Sequence, residues 1–149
     1  MSGAEILQIF ASAVAIADLA RRTVRFLKNV PHADDHVREL REKIGQLRQI
    51  VKTVQELVNH RQDMQRSEGV SSFEQTIWKH LERSLRASKR LLEKFENTVK
   101  SKERPNSGWI RRGIIELQLG LDQNEIAKFE QSLDAHIQAI QLWITSLQV

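Results

Sequence analysis

Residues 6–20 constrain the fold most strongly, because a helix built from them is apolar on every side. Only Gln8, Ser12 and Asp18 interrupt the apolar residues. Such a helix has to be buried, either in a helical bundle or in lipid. It is shorter than the roughly 20 residues needed to span a bilayer, and its basic residues follow the apolar segment, whereas those of a secretory signal precede it. We therefore predict a soluble, cytoplasmic resting protein that holds this helix in its interior.

The composition favours long helices. The 149 residues include six Gly, two Pro and no Cys. A chain of this length can bury the core of one domain, and residues 1–149 are predicted to form a single helical-bundle domain. The absence of Cys excludes disulfides, thiolate zinc sites and a cysteine nucleophile. Residues 1–112 carry 22 Lys and Arg against 14 Asp and Glu, whereas residues 113–149 carry one Lys against five acids. The basic part suits anionic surfaces.

Four long helices are predicted, over residues 3–28, 35–66, 72–102 and 122–147. A capping box of Ser2 and Glu5 begins the first, and Gly69 can cap the end of the second. A second capping box, Ser71 and Glu74, begins the third. Asp122 with Glu125 caps the last helix. A short extra helix is predicted over residues 109–119.

Each of the last three long helices has an apolar stripe at helical spacing. The stripe of helix two is Val37, Leu40, Ile44, Leu47, Val51, Val54 and Val58, widened by Ile50 and Leu57. The stripe of helix three is Phe73, Ile77, Leu81, Leu85, Ser88, Leu92, Phe95 and Val99. The stripe of helix four is Ile126, Phe129, Leu133, Ile137, Ile140, Ile144 and Leu147. These patterns predict an all-α fold, an antiparallel up-down four-helix bundle in which the first helix packs against helices two and four.

No constellation of residues indicates catalysis, a cofactor or a metal. The nearest approach to a metal site is His32, Asp34, Asp35 and His36, which a solvated loop and a helix cap explain better. His60, His80 and His136 are isolated in the sequence, and His136 is predicted at the edge of the core. No nucleophile, base and orienting group occur together, so we predict that the protein is not an enzyme.

The basic cluster Arg21, Arg22, Arg25 and Lys28 follows the apolar segment directly. Apolar insertion beside cations is typical of an interfacial membrane helix, whose cations meet anionic lipid headgroups. The insertion candidates are Ile6, Ile9, Phe10, Ala13 and Ile16. The alternative is that this helix is simply the buried helix of the bundle, and the two readings can be two states of one segment. Nucleic acid binding by the basic face of helix three is disfavoured, because the neighbouring aromatics lie near apolar stripes.

Both ends of the chain resemble one protein family. Residues 1–17, MSGAEILQIFASAVAIA, are similar to the start of the HeLo-like and related Ses-type N-terminal domains of fungal STAND (NLR-like) receptors. Trp109 with the Arg pair that follows, and then residues 125–140, EIAKFEQSLDAHIQAI, resemble the closing helix of that group. Ile137 stands where a Lys is common after the His. The middle helices match only in pattern.

The resemblance implies a non-catalytic signalling or effector domain in fungal innate immunity, acting in non-self recognition, programmed cell death or heterokaryon incompatibility. Relatives of this kind expose the N-terminal helix on oligomerisation and damage the plasma membrane, to which the protein would move on activation. The resemblance also implies fusion to a nucleotide-binding module and repeats beyond Val149. The expected partners are further copies of the chain, other helical domains and anionic membrane lipids. The alternative is an adaptor bundle that binds partner helices through the stripes of helices two and three, without membrane activity.

Overall fold

The computed structural model describes residues 3–28, 35–64, 71–102 and 123–148 of the chain. The predicted short helix over 109–119 and the Ser2, Gly69 and Asp122 caps lie outside the described residues, as does the side chain of Val99 in the α3 stripe. The prediction of an all-α four-helix bundle is confirmed. The helices of the described residues are α1 (Gly3–Lys28), α2 (Asp35–Met64), α3 (Ser72–Lys102) and α4 (Gln123–Gln148).

Each helix packs against two of the other three, so the four helices form a ring in cross-section. Helix α1 packs against α2 and α3, and α4 packs against the same two helices from the opposite corner. The pair Arg22–Glu96 joins neighbouring α1 and α3 near their C-terminal ends, so these two helices run parallel. Two ring stacks show that α3 and α4 run antiparallel. Phe95, near the C-terminal end of α3, stacks on Phe129, near the N-terminal end of α4, with ring centroids 4.5 Å apart. At the other end of the pair, His80 of α3 stacks on Trp143 of α4, with ring centroids 4.7 Å apart.

The predicted packing of the first helix against helix four is wrong. Helix α3 takes the position that was expected for α4, and α1 lies diagonally opposite α4. The apolar stripes of α3 and α4 are similar in length and composition, so either helix can flank α1. Sequence order does not decide which pair of helices becomes the diagonal pair in a bundle.

The core runs along the axis between the four helices. All seven predicted stripe residues of α2 are buried, and Ile50 and Leu57 pack against them from the sides. The stripe of α4 is buried from Ile126 to Ile144, with Leu147 partly buried at its end. Within α3, even the hydroxyl residue Ser88 is buried, where its Oγ donates a hydrogen bond to the carbonyl oxygen of Ser84 at 2.8 Å. The heptad-like spacing therefore identified the core-facing side of these helices.

Phe73 is the exception among the α3 stripe residues whose burial the structure describes. Phe73 is 75% exposed, although its spacing places it on the same helix face as Ile77 and Leu81. Phe73 lies in the first turn of α3, one turn before Ile77, which is the first buried residue of this helix. Helical spacing gives the direction of a side chain but does not say where along the helix the neighbouring helices begin to cover it.

The predicted cap at the start of α3 is present. The backbone N–H of Glu74 donates to Ser71 Oγ at 3.1 Å. The Glu74 carboxylate accepts a hydrogen bond from Trp78 Nε1 at 3.3 Å, and its Oε1 lies 3.4 Å from Arg61 Nε. Because Arg61 is on α2, the carboxylate ties the end of α2 to the first turns of α3.

Candidate functional site

The inner face of α1 carries the insertion candidates. Ile6, Ile9, Ala13 and Ile16 are all buried, and they belong to the central core. Phe10 is half-buried and packs against that core from the side. The residues proposed for membrane insertion therefore hold α1 against α2 and α3 in this structure.

The outer face of α1 is apolar and open to solvent. Leu7 is 58% exposed and Val14 is 45% exposed, and Ala4 and Ala11 on the same side are also exposed. The expectation that a helix apolar all round must be buried is thus wrong for this face. A helix at the corner of a four-helix bundle has only two neighbours, so part of its circumference remains in water whatever its sequence.

Acidic side chains neutralise part of the basic cluster. Arg21 Nη2 donates to Asp18 Oδ1 at 2.7 Å, and Arg22 Nη1 lies 3.8 Å from Asp18 Oδ2. Arg22 Nη2 also lies 3.4 Å from Glu96 Oε2 on α3. Arg22 therefore forms an ion pair between helices as well as within its own helix.

Arg25 and Lys28 complete the basic cluster on the last turns of α1. Both residues are exposed, as Arg21 and Arg22 are. Cations at this end of a helix interact favourably with the partial negative charge of its carbonyl groups. All four lipid-binding candidates are thus on the surface, and two of them already face carboxylates.

Sequence reasoning missed the partnership between α1 and α3. Arg21 and Arg22 follow Asp18 at the three- and four-residue spacing of helical ion pairs. That spacing was a usable signal. Glu96 had no such signal, because it is distant in sequence and approaches Arg22 only when α1 and α3 lie side by side.

The α1–α3 seam forms a groove of mixed charge on the surface. Its walls are lined by Ala15, Asp18, Leu19, Arg22, Lys89, Glu93, Glu96 and Asn97. Lys89 Nζ lies 3.8 Å from Glu93 Oε1 within α3. The groove therefore combines an ion pair within α3 with the Arg22–Glu96 pair that crosses between helices.

The basic face of α3 is a solvated surface. Lys79, Arg83 and Arg90 are exposed, and Arg86 pairs with Glu82 one turn away. Of the nearby aromatics, Trp78 and Phe95 are buried, Phe26 is partly buried and Phe73 is exposed. Trp78 and Phe95 are therefore core side chains, and Phe95 was predicted to be one by its place in the α3 stripe.

Two titratable groups have shifted pKa values. Burial lowers the pKa of His136, which lies at the edge of the core. Burial, followed by the nearby Glu39 carboxylate, raises the pKa of Glu130, and Lys43 and His36 oppose this shift. Oε1 of Glu130 is buried without a hydrogen-bond partner among the described residues. Lys43 Nζ lies 3.7 Å from Asp134 Oδ1, so α2 and α4 share a cluster of charges.

No group of three or more His, Asp or Glu side chains converges as a metal site within the described residues. His32 and Asp34, two residues of the candidate metal motif, lie outside the described residues. Asp35 pairs with Arg38 in the first turn of α2, and His36 is exposed. This part of the motif serves as the start of a helix.

None of the helices in the described part of the chain is both long and apolar enough to cross a membrane. No family model, curated protein or solved structure matches the chain.

Proposed function

We propose that this protein is a non-catalytic signalling or effector bundle whose first helix is conditionally buried. In the resting state α1 is docked on α2 and α3. On oligomerisation it leaves the bundle and inserts its apolar residues into the surface of a membrane. The resemblance of both chain ends supports a role as the N-terminal domain of a fungal NLR-like receptor that acts in regulated cell death at the plasma membrane.

The observation that carries the proposal is the division of α1 into two apolar faces. Ile6, Ile9 and Ile16 are buried on one face, and Leu7 and Val14 are exposed on the other. A helix that served only as a core element would need one apolar face. Apolar residues on both faces suit a helix that is surrounded by lipid or protein in a second state.

The same burial explains why α1 would stay docked without a membrane. Moving a buried Ile side chain into water costs roughly 1.5–3 kcal/mol. Release of Ile6, Ile9 and Ile16 into solvent would therefore be strongly unfavourable. An apolar acceptor removes most of this cost, because the side chains leave one apolar environment for another.

Electrostatics would add to the switch. On release, Arg22 would exchange the Glu96 carboxylate for lipid phosphates. Each basic residue near an anionic surface contributes about 1 kcal/mol. Arg21, Arg22, Arg25 and Lys28 would therefore favour anionic membranes only when they act together.

Dye release from anionic liposomes tests the proposal. The protein is fused to a trimeric coiled coil to force oligomerisation, and leakage is measured for this fusion and for its Arg21→Glu/Arg22→Glu/Arg25→Glu variant. The matched control is Arg83→Glu/Arg86→Glu/Arg90→Glu, which makes the same charge change on the exposed face of α3. Circular dichroism verifies that each variant is folded.

We expect leakage with the wild-type and control fusions, and its loss in the α1 variant. An absence of leakage with every fusion would overturn the membrane mechanism. Equal leakage from both reversed variants would refute only the role of the basic cluster.

The second candidate is an adaptor bundle that binds partner helices without touching lipid. The exposed positions of Leu7 and Val14 favour it, because an open apolar stripe is a common feature of interaction surfaces. Among the stripe residues of α2 and α3 whose burial the structure describes, those predicted to bind partners are buried in the core, apart from Phe73. An adaptor would therefore use the outer face of α1. Binding of partner helices by a protein that never causes leakage would favour this candidate.

A further inference from the structure

Two stripes of opposite charge run along the outer sides of α2 and α3. The acidic stripe of α2 holds three carboxylates, two amides and no cation, and the basic stripe of α3 holds five cations and no carboxylate. The acidic stripe is Asp35, Glu39, Glu42, Gln46 and Gln49, and the basic stripe is Lys79, Arg83, Arg86, Arg90 and Lys94. All ten residues are exposed. Their three- and four-residue intervals keep each stripe on one side of its helix.

The stripes lie on opposite sides of the bundle. Glu42 is two residues, or about 200° around the helix, from both Leu40 and Ile44, which are buried. Arg90 is likewise two residues from the buried Leu92. Each stripe therefore points away from the core. Helices α2 and α3 are diagonal to each other, because both pack against α1 and α4.

Most charges of the two stripes are available to a partner. Among the ion pairs of the described residues, only Asp35 and Arg86 of the stripes take part. Each of these two pairs is formed within a single helix. The remaining carboxylates and cations of the stripes therefore have no oppositely charged side chain within ion-pair distance in this part of the chain.

Contacts of α4 show which residues of α2 and α3 lie at the same height along the bundle. Lys43 Nζ on α2 lies 3.7 Å from Asp134 Oδ1. The ring of Phe95 on α3 stacks on that of Phe129. Asp134 is five residues beyond Phe129 on α4. Because α3 and α4 run antiparallel, the residue of α3 at the height of Asp134 is five before Phe95, namely Arg90. Arg90 and Lys43 are therefore level.

The match extends along both helices. Gln141, seven residues after Asp134, lines a groove with Gln49 and Ile50 of α2. Helices α2 and α4 therefore run parallel, and α2 runs antiparallel to α3. Four residues of the acidic stripe then each have a cation of the basic stripe at nearly the same height. The level pairs are Glu39 with Lys94, Glu42 with Arg90, Gln46 with Arg86, and Gln49 with Arg83.

We infer that the acidic stripe of one copy of the chain pairs with the basic stripe of a second copy. When the second copy is shifted sideways along the α2–α3 diagonal, α2 of one copy lies antiparallel beside α3 of the other. Both glutamate carboxylates of the level pairs then meet cations, and both glutamine side chains meet arginines, which donate hydrogen bonds to their oxygens. The contact is heterologous, so each copy can extend the row on both sides.

A second copy accounts for both stripes, whereas a nucleic acid or an anionic lipid surface would meet only the basic one. Surfaces generally mix charges of both signs. Here the signs are separated onto opposite sides of the bundle and matched in height. Complementary charges of this kind select the partner and fix its register. Contacts between two acidic or two basic stripes are repelled, so the head-to-tail arrangement is the favoured one.

The inference rests on the proposed function in one respect, since it names the partner of the oligomerisation step. The row forms with α1 still docked on α2 and α3. In the leakage assay the coiled coil holds the copies together, so leakage by the fusion with a reversed α3 face does not depend on the stripes. Self-association and leakage can therefore succeed or fail separately.

Sedimentation of the unfused protein without lipid tests the pairing. The Debye length is about 30 Å at 0.01 M ionic strength and about 3 Å at 1 M. We therefore expect association that rises with protein concentration at the lower ionic strength, and monomers at the higher one.

Charge reversal identifies the stripes. Glu39→Lys/Glu42→Lys reverses the acidic stripe, and Arg90→Glu/Lys94→Glu reverses the basic one. Each double variant should lower the associated fraction at least several-fold, because its two stripes then carry the same sign. The chain with all four substitutions should associate again, since its stripes are once more opposite in sign and its net charge equals that of the wild type.

Arg48→Glu/Lys52→Glu is the matched control. It also reverses an Arg and a Lys four residues apart, both exposed on α2 outside the acidic stripe, and it should associate as the wild type does. Circular dichroism verifies that each variant is folded. Restored association in the fourfold variant supports the pairing. A wild type that is monomeric at low ionic strength, a fourfold variant as monomeric as the double variants, or an equal loss in the control would overturn it. A monomeric wild type that binds heparin through the basic stripe would overturn it in favour of a polyanion.

Discussion

Arg22 Nη2 lies 3.4 Å from Glu96 Oε2, so an ion pair joins the C-terminal half of α1 to α3. Arg22 is also one of the four residues proposed to bind lipid. The same side chain thus favours the docked helix in the resting state and the membrane-bound helix after release.

Glu96→Gln should loosen the docking of α1. Ion pairs near the surface contribute about 0.2–1 kcal/mol, so we expect a decrease of that size in the free energy of unfolding. Amide hydrogen exchange should accelerate in the last turns of α1. Glu93→Gln is the control, because Glu93 pairs with Lys89 inside α3. Equal acceleration in both variants would argue against a link between the two helices.

Ile9→Ala and Leu7→Ala should differ sharply in stability although they lie on the same helix. Ile9 is buried in the core, and truncating such a residue costs about 2–5 kcal/mol. Leu7 faces solvent, and an exposed substitution changes stability by about 0.5 kcal/mol or less. Urea denaturation measures both. Similar losses would mean that the two faces of α1 have been assigned incorrectly.

Ser71→Ala should destabilise the protein by about 1 kcal/mol, because it removes the oxygen that accepts the Glu74 N–H at the start of α3. Ser72→Ala is the matched control. Ser72 is exposed and accepts a hydrogen bond from Thr76 Oγ1 through its backbone carbonyl, which the substitution preserves. Thermal unfolding of the two variants distinguishes a cap from a general effect of losing a serine.

Glu130→Gln should stabilise the protein at neutral pH and have little effect under acidic conditions. The pKa of Glu130 is raised in the folded state above its ordinary value of 4.5. The folded state therefore holds this proton more tightly than the unfolded state does. The stability contributed by this tighter proton binding is fully present below pH 4.5, and it is lost as the pH rises from there through the pKa of Glu130 in the folded state.

Thermal unfolding of Glu130→Gln from pH 4 to 7 tests this linkage, with the exposed Glu56→Gln on α2 as control. The melting temperature of Glu130→Gln should fall less than that of the wild type as the pH rises. A parallel pH dependence in the two proteins would contradict the assignment.

His136→Gln should protect the protein against mild acid. Burial holds the pKa of His136 below its ordinary value of 6.5. The unfolded state therefore takes up this proton first as the pH falls, and stability present above pH 6.5 is progressively lost below it. Unfolding between pH 7.5 and 5.5 should show a smaller loss of stability for the variant than for the wild type. The exposed His60→Gln is the control and should behave as the wild type does.

Local and periodic features of this chain were predictable from its sequence. The spacing in α2 identified all seven residues that face the core, from Val37 to Val58. The Ser71 cap was predictable because it involves residues only three apart. Such patterns depend on helix geometry alone, and helix geometry is the same in every bundle.

The candidate site was only partly predictable. The sequence identified α1 as unusually apolar and located its basic cluster. It did not separate Ile9, which is buried, from Leu7, which is exposed, because the two residues are chemically alike. Phe73 was misassigned for a related reason, since its exposure depends on where the neighbouring helices cover α3.

The sequence by itself determined that this chain forms helices, where the Ser71 cap and the stripe of α2 lie, and that α1 carries more apolar surface than one core face requires. Only the tertiary structure decided that α3, and not α4, flanks α1, and therefore that Glu96 meets Arg22. The physical reason is that helix formation depends on residues within a few turns, whereas the choice of neighbours depends on how whole apolar faces fit together. That fit places Ile6, Ile9 and Ile16 inside the bundle and leaves Leu7 and Val14 outside.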